Sequence, residues 1–158
     1  LDHVQLGEKL NLIDFDAGPP PRLVNRSRIG ADGVEWRLGR RFSGGTRLHV
    51  EGAWMRVTVP EGESELRHRP RLQWAAGGRW PIGRGRTFGA SLRHLGARFD
   101  SSIPTGDLRL APMTVLDLSL RQSLGPLDLD LGLDNAFDSD AEESIGSAVG
   151  GRRLRLSL

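Results

Sequence analysis

The last third of the chain alternates leucine with polar residues. The pattern covers residues 116–121, 127–134 and 154–158. Because successive side chains of a β-strand point to opposite faces, this alternation predicts strands with one apolar face and one polar face. The polar positions hold full charges, so that face has to meet water. Two arrangements satisfy this requirement: a soluble sheet with a solvated polar face, or a membrane barrel with leucine toward lipid and charges toward a watery lumen.

The composition excludes several classes of protein. A chain of 158 residues usually forms one domain, and this one lacks the run of about 18 apolar residues that a membrane-spanning helix needs. It has no cysteine, which excludes disulfide bonds and thiol chemistry. Its 22 basic and 20 acidic residues are interspersed rather than gathered in a basic stripe, so we expect no nucleic-acid partner. The chain begins at Leu1 without a signal-peptide pattern, which favours a mature piece or a fragment of a longer protein.

Strand-like runs are separated by breaks that alternate between long and short. Most runs approach the roughly 9–11 residues that a tilted strand needs to cross a bilayer. Long loops at one end and short turns at the other are typical of an outer-membrane barrel with its turns toward the periplasm. We therefore predict an all-β fold, an antiparallel transmembrane β-barrel with about eight strands in this chain. The predicted strands are 4–15, 28–42, 47–59, 70–80, 87–99, 113–124, 127–137 and 152–158. The short turns are predicted at 43–46, 81–86 and 125–126, and the long loops near 16–26, 59–69, 100–112 and 138–151.

The two faces of the predicted strands have different partners. Trp36, Trp54 and Trp74 have the same parity as neighbouring valines and leucines, and this face is predicted to meet lipid. The opposite face is predicted to line a wet interior, where cross-strand pairs of opposite charge can form. Arg121 is expected to face Asp130 across the turn at 125–126, unless a different turn type places Ser123 opposite Asp130. The predicted inward-facing residues are Glu35, Arg37, His49, Glu51, Gln73, Arg79, Ser91, Arg93, Asp117, Arg121, Asp128, Asp130 and Arg155.

Aromatic residues are concentrated near the predicted strand ends. Two such bands are typical of the aromatic girdles at the two interfaces of a membrane. The predicted bands are Phe42, Trp80 and Phe88 beside short turns, and Phe15, Phe99 and Phe137 beside long loops.

Six short strings, in order along nearly the whole chain, resemble strings of one family. They are Asn25 with Gly33-Val34-Glu35, Leu-Arg-His-Arg-Pro at 66–70, Leu-Arg-His-Leu-Gly-Ala-Arg-Phe at 92–99, Leu-Asp-Leu-Ser at 116–119, Asp-Asn-Ala-Phe-Asp at 134–138 and Gly-Gly-Arg at 150–152. In this order and spacing they resemble the C-terminal barrel of TonB-dependent outer-membrane receptors, most of all cobalamin and siderophore receptors. Two features depart from the family pattern: the chain ends in Leu158 where the family usually has Phe, and it has no tyrosine.

The resemblance implies a fold, a function and partners. The fold is a barrel of about 22 strands filled by an N-terminal plug, with residues 1–158 as its C-terminal segment. The function is energised uptake of a scarce ligand, such as a siderophore or cobalamin, across the outer membrane of a Gram-negative cell. The implied partners are outer-membrane lipid, a TonB energising complex that acts through a plug not in this chain, and a small-molecule ligand.

No catalytic, cofactor or metal site is predicted. Ser119 has an acid nearby but no identifiable partner histidine for hydrolase chemistry. Asp128 and Asp130 share a face, but beside a tight turn they are expected to line the lumen rather than act as a catalytic pair. The chain is therefore not expected to be an enzyme, and ligand contact is expected from the four long loops without any single assigned residue. The histidines, which lack the spacing of metal ligands, are His3, His49, His68 and His94.

Two other hypotheses stay open on the sequence. A stand-alone eight-stranded barrel with a structural or adhesive role would close by pairing 152–158 with 4–15. A soluble β-barrel that binds a small apolar ligand would place leucine inside and charge outside.

Overall fold

The computed structural model describes residues 10–14, 22–26, 29–61, 66–102 and 106–158, which form β-strands and turns without any helix. This part of the chain therefore contains no helix that could cross a membrane. The strands are β1 (Leu10–Asp14), β2 (Arg22–Arg26), β3 (Gly30–Arg41), β4 (Arg47–Thr58), β5 (Leu72–Gly83), β6 (Arg86–Leu95), β7 (Arg98–Ser102), β8 (Gly106–Leu110), β9 (Met113–Leu124), β10 (Leu127–Asp134), β11 (Glu142–Ser144), β12 (Ser147–Ala148) and β13 (Arg153–Ser157).

One antiparallel sheet contains seven of these strands. Its order is β13-β10-β9-β6-β5-β4-β3, so strands that follow each other in the sheet also follow each other along the chain. The hairpins β7–β8 and β11–β12 lie within two of the long connections. Each of them, like β1–β2, is a two-stranded sheet of its own. The connections β3–β4, β5–β6 and β9–β10 are short and lie at one end, while the long connections lie at the other. The predicted all-β, antiparallel architecture with alternating connections is confirmed.

The described part of the first predicted strand, residues 10–14, is not part of this sheet. Residues 10–14 pair instead with β2, which lies inside the predicted loop 16–26. The large sheet therefore has seven strands among the described residues, not the predicted eight. Residues 4–9 and 15 of the predicted strand lie outside the described residues.

The predicted strand 87–99 is divided in two. The strand β6 ends at Leu95, and just beyond it the amide of Gly96 donates a hydrogen bond to the carbonyl oxygen of Leu72 (2.8 Å). A Cβ at Gly96 would lie 2.8 Å from the same oxygen, so the approach requires glycine. Beyond it the chain leaves the sheet and forms β7.

The predicted strand 127–137 ends earlier, at Asp134. Asn135 and Asp138 have φ angles of 47° and 54°, which are incompatible with an extended strand. Asn and Asp adopt this left-handed region more readily than other residues with a Cβ, so their positions explain where the strand stops.

The register between the strands separates two faces. Residues directly opposite each other in an antiparallel pair point to the same side. Glu51 lies opposite Arg37 and Ala75, whereas Trp54 lies opposite Val34 and Leu72. Continued across the sheet, the register places every predicted inward-facing residue on one side, which we call the polar face. The tryptophans and most leucines lie on the other side, the apolar face.

The sheet is open in the described part of the chain. The edge strands β3 and β13 each pair with one neighbour only, β4 and β10 respectively. The ring closure of the eight-stranded hypothesis, in which 152–158 pairs with 4–15, is not found for residues 10–14.

The buried core is small and lies at the end with the long connections. Met113 and Val115 of β9 are buried there with Leu110 and Ile29. Met113 and Val115 point to the polar face, so this face becomes apolar toward the long connections. The strands of the sheet otherwise pack mainly on their hydrogen-bonded neighbours.

Candidate functional site

Charged side chains on the polar face form cross-strand pairs. The guanidinium of Arg121 donates two hydrogen bonds to the carboxylate of Asp130 (2.7 and 3.0 Å), and Ser123 Oγ donates to Asp128 (2.7 Å). This register confirms the predicted Arg121–Asp130 pair and excludes the alternative in which Ser123 faces Asp130. Similar pairs join Arg37 to Glu51 (2.9 Å) and Arg155 to Asp134 (2.6 Å).

The polar face is concave. It holds two open hollows, of about 690 Å³ beside β3 to β6 and about 520 Å³ nearer the short turns. The second hollow is lined by both Arg47 of β4 and Arg155 of β13. Four strands separate β4 from β13 in the sheet, so a shared hollow requires the sheet to curl with its polar face inside.

The apolar face is convex and exposed. Leu38 near one edge and Leu154 near the other are 66% and 69% exposed. Soluble monomers rarely expose an apolar surface of this extent, because contact between water and hydrocarbon is unfavourable. This side of the sheet therefore requires an apolar partner.

Aromatic side chains lie near both ends of the apolar face. Trp80 contacts Phe88 near the short turns (ring centroids 5.7 Å apart), and Trp74 stacks on His94 near the long connections (5.6 Å). The predicted turn-side band is thus present. The loop-side band contains Trp74 rather than Phe99.

Phe99 is displaced because the chain has left the sheet before this residue. It lies in β7, with the guanidinium of Arg109 6.0 Å from its ring centroid. Phe137 is 58% exposed beside its long connection, and Phe15 lies outside the described residues. The place of Phe99 in β7, outside the seven-stranded sheet, corrects its assignment to an interfacial girdle.

Arg98, the first residue of β7, holds β11 against the end of the sheet. Its Nε and Nη2 atoms donate to the carbonyl oxygen of Glu143 (3.2 and 2.8 Å), and Nη2 also donates to that of Glu142. Arg98 is only 2% exposed, and its Nη1 atom has no hydrogen-bond partner among the described residues. Burial lowers the pKa of Arg98, an effect that the charges of Glu143 and Asp100 partly offset.

Asp100 joins the same hairpin to the segment before β5. Its carboxylate accepts hydrogen bonds from the amides of Ser101 and Ile145 (2.8 and 2.7 Å) and lies 3.1 Å from Nε2 of His68. Burial alone would raise the pKa of Asp100. The hydrogen bonds from Ile145 and Ser101, and then the charges of His68 and Arg67, outweigh burial and hold this pKa below its ordinary value. Asp100 is therefore an ionised carboxylate inside the protein.

These contacts bring three of the predicted loops together. The hairpin β11–β12 also lies on the polar side of the sheet, because Arg93 of the polar face pairs with the carboxylate of Glu143 (3.0 Å). The cluster therefore stands at the long-connection end of the concave face. We call it the loop junction; it consists of Arg67, His68, Arg98, Asp100, Glu142, Glu143 and Ile145.

Asn135 fixes both ends of the last long connection. Its Nδ2 atom donates to the carbonyl oxygens of Ser139 (3.1 Å) and Gly150 (3.0 Å), and its Oδ1 accepts the amide of Ser139 (2.9 Å). Its own amide donates to the carboxylate of Asp117 (2.9 Å). An asparagine supplies both the donors and the acceptor, and tolerates the positive φ angle at this position.

Two of the predicted ligand-contact loops contain β-hairpins. The loop 100–112 contains most of β7 and β8, and the loop 138–151 contains β11 and β12. Part of the loop 59–69 contacts β7 through Arg67 and His68, although residues 62–65 lie outside the described residues. The loop 16–26 contributes β2 and does not join the loop junction within the described residues.

The histidines are dispersed over different environments. His49 lies over Gly77 on the polar face, and His94 lies 2.9 Å from Thr114 Oγ1 on the apolar face. His68 belongs to the loop junction, and His3 is outside the described residues. Within the described ranges no group of three or more His, Asp or Glu side chains is placed to hold a metal ion.

Comparison with known proteins gives information on the fold. No protein-family model and no curated protein matches the chain in sequence. Among solved structures, the chain is similar to FpvA of P. aeruginosa in a complex with a heterologous pyoverdine and iron, with a TM-score of 0.74 and 15% identity. The match covers 94% of this chain and 22% of the FpvA chain. At this identity the similarity establishes the fold alone, and the open antiparallel sheet is consistent with a fragment of a β-barrel.

Proposed function

We propose that the chain forms part of the wall of an outer-membrane barrel of the TonB-dependent receptor class. The apolar face contacts lipid, the polar face lines a wet interior, and the loop junction stands at the outer mouth. The proposal depends chiefly on one observation, namely that a single sheet combines an exposed convex apolar face with a concave charged face. A soluble barrel would have these faces reversed.

Strand length and fold similarity support this proposal. The strands β3, β4, β5 and β9 each have 12 residues, and about 9–11 tilted residues are enough to cross a bilayer. FpvA is a TonB-dependent siderophore receptor. Its bound iron–pyoverdine makes a small molecule of the siderophore class the first candidate ligand here, with cobalamin as the other family candidate.

The proposed role of this chain is passive. The side chains of the loop junction are engaged in holding hairpins to the sheet, and we assign no catalytic chemistry to them. Energised transport would require a plug and a TonB complex that acts on it, and the plug would come from a part of the protein outside this chain.

A matched pair of substitutions on β6 tests the orientation of the two faces. Leu92 on the apolar face lies between Ala76 and Leu116, and its neighbour Ser91 points to the polar face. We expect Leu92→Arg to cost about 2–4 kcal/mol if it faces the middle of the membrane, and Ser91→Arg to cost little. The measurements are urea unfolding of the full-length protein in lipid vesicles and heat-modifiable migration in a gel. Equal tolerance of both substitutions, or better tolerance of Leu92→Arg, would contradict the orientation.

Uptake experiments test the receptor class separately. Cells that depend on the full-length gene should take up at least one iron–siderophore complex or cobalamin, and removal of TonB should abolish this uptake. If uptake persists without TonB, the chain belongs to a passive barrel of another class.

A further inference from the structure

Three arginines form a row on the polar face near the short turns. Arg41 lies directly opposite Arg47, and Arg47 lies directly opposite Arg79, on the adjacent strands β3, β4 and β5. We call these residues the arginine row. Like charges at directly opposite positions destabilise a sheet, so this arrangement has a cost that a bound anion would remove.

The arginine row has no carboxylate partner among the described residues, unlike four other arginines of the polar face, Arg37, Arg93, Arg121 and Arg155. None of the described residues forms a hydrogen bond or ion pair with the side chains of Arg41, Arg47 or Arg79. Asp130 interacts electrostatically with Arg79, but its carboxylate already accepts two hydrogen bonds from Arg121. The row is therefore a concentration of positive charge in a concave, wet part of the sheet.

We propose that the arginine row is a binding site for small polyanions, such as polycarboxylates or phosphates, on the turn side of the concave face. The proposal rests on the proposed function, and it requires that a plug inside the barrel leave the turn side of the polar face open to water. The hollow of about 520 Å³ lined by Arg47 and Arg79 has the size of a small-molecule site.

The spacing of the row suits ligands with several anionic oxygens. Directly opposite residues have Cβ atoms about 4.5–5.5 Å apart, so neighbouring guanidinium groups can contact two carboxylates of one ligand. His49 and Arg155 also line the hollow, and Arg155 is engaged with Asp134. The carboxylate of Asp117 lies at the same hollow and would oppose ligands that extend in its direction.

Citrate and inorganic phosphate are the probes for this site. Calorimetry on the full-length protein in detergent should show saturable citrate binding that weakens with added salt. The double variant Arg47→Gln/Arg79→Gln should bind citrate at least about tenfold more weakly, because two charge-assisted contacts are lost. The control Arg37→Gln, which removes a paired arginine from the same face outside this hollow, should leave citrate affinity within about twofold.

Stability gives an independent readout. Since Arg47→Gln removes like-charge repulsion, it should leave the unliganded protein equally or more stable to urea, and citrate should stabilise the wild type more than this variant. The proposal is overturned if the double variant binds citrate like the wild type, or if an oligoglutamate peptide binds at the row and neither citrate nor phosphate does. These outcomes concern the anion site alone, whereas failure of the Leu92→Arg and Ser91→Arg comparison would overturn the membrane orientation.

Discussion

The loop junction and the cross-strand pairs of the polar face use the same residue types in different surroundings. Asp100 has a side chain that is 7% exposed and accepts two backbone amides, whereas Arg121 and Asp130 form a pair whose side chains are 53% and 37% exposed. The shortest donor–acceptor distance is 2.7 Å both at Asp100 and in the Arg121–Asp130 pair. Because water screens exposed charges and competes for their hydrogen bonds, only the buried contacts are expected to contribute much stability. Burial rather than distance should therefore set the order of the mutational effects.

Removing Arg98 should have the largest effect. Arg98→Met removes a buried guanidinium that donates to the carbonyl oxygens of Glu142 and Glu143, with an expected cost of about 3 kcal/mol. The loss should be local, since β11–β12 contacts β8 and is not part of the large sheet. Hydrogen exchange of residues 142–148 should accelerate by about two orders of magnitude, while the amides of β9 stay protected.

Arg109→Met is the matched control for this prediction. Arg109 lies in β8, which pairs with the strand that contains Arg98. It is exposed, and its guanidinium lies over the ring of Phe99. Its replacement should change stability by no more than about 0.5 kcal/mol. Similar exchange rates in the two variants would mean that the buried hydrogen bonds of Arg98 do not hold the hairpin.

Asp100 should make the loop junction sensitive to acid. Its pKa is lower in the folded protein than the ordinary 3.8, so ionised Asp100 favours the folded junction. This contribution is present above 3.8 and is lost as the pH falls from there through the lower folded-state pKa. Limited proteolysis of the β11–β12 connection should therefore accelerate in acid.

Asp100→Asn isolates that effect. The amide keeps the shape but loses the charge that accepts the amides of Ser101 and Ile145, so the variant should be less stable by about 1–2 kcal/mol at neutral pH. It should also lose the step in proteolysis rate that Asp100 causes below its ordinary pKa. An unchanged acid step in Asp100→Asn would assign the titration to another group.

The strands and their faces could be predicted because the signal is local. Alternation over 116–121 and 127–134 fixes which side chains share a face, and the short turn between these segments leaves two registers. The register with Arg121 opposite Asp130 is the one that pairs opposite charges, and it is the one found. The hydrophobic period did not show that β6 ends before Gly96, where the backbone of Leu72 comes too close for a residue with a Cβ.

The loop junction could not be predicted in this way. Arg98 binds carbonyl oxygens of residues 44 and 45 positions away, and a backbone carbonyl has no residue-type signature. Asp100 likewise accepts the amide of Ile145, 45 positions away. The available signal was weak: Arg98 and Asp100 alternate with Phe99 where the predicted strand passes into a loop. The arginine row could be predicted in part, because Arg41 and Arg47 flank a short turn in the sequence. Their alignment with Arg79 depends on the strand register, which the sequence does not give.

The cross-strand pair of Arg121 and Asp130 should have the smallest effect. In a double-mutant cycle of Arg121→Ala and Asp130→Ala, the coupling free energy should be a small fraction of the loss in Arg98→Met, and added salt should reduce it further. Urea unfolding in detergent at two salt concentrations measures it. A coupling as large as the Arg98 effect, and insensitive to salt, would mean that this part of the polar face is dry. The concave side would then be packed rather than water-filled, and both the proposed lumen and the anion site on the arginine row would have to be abandoned.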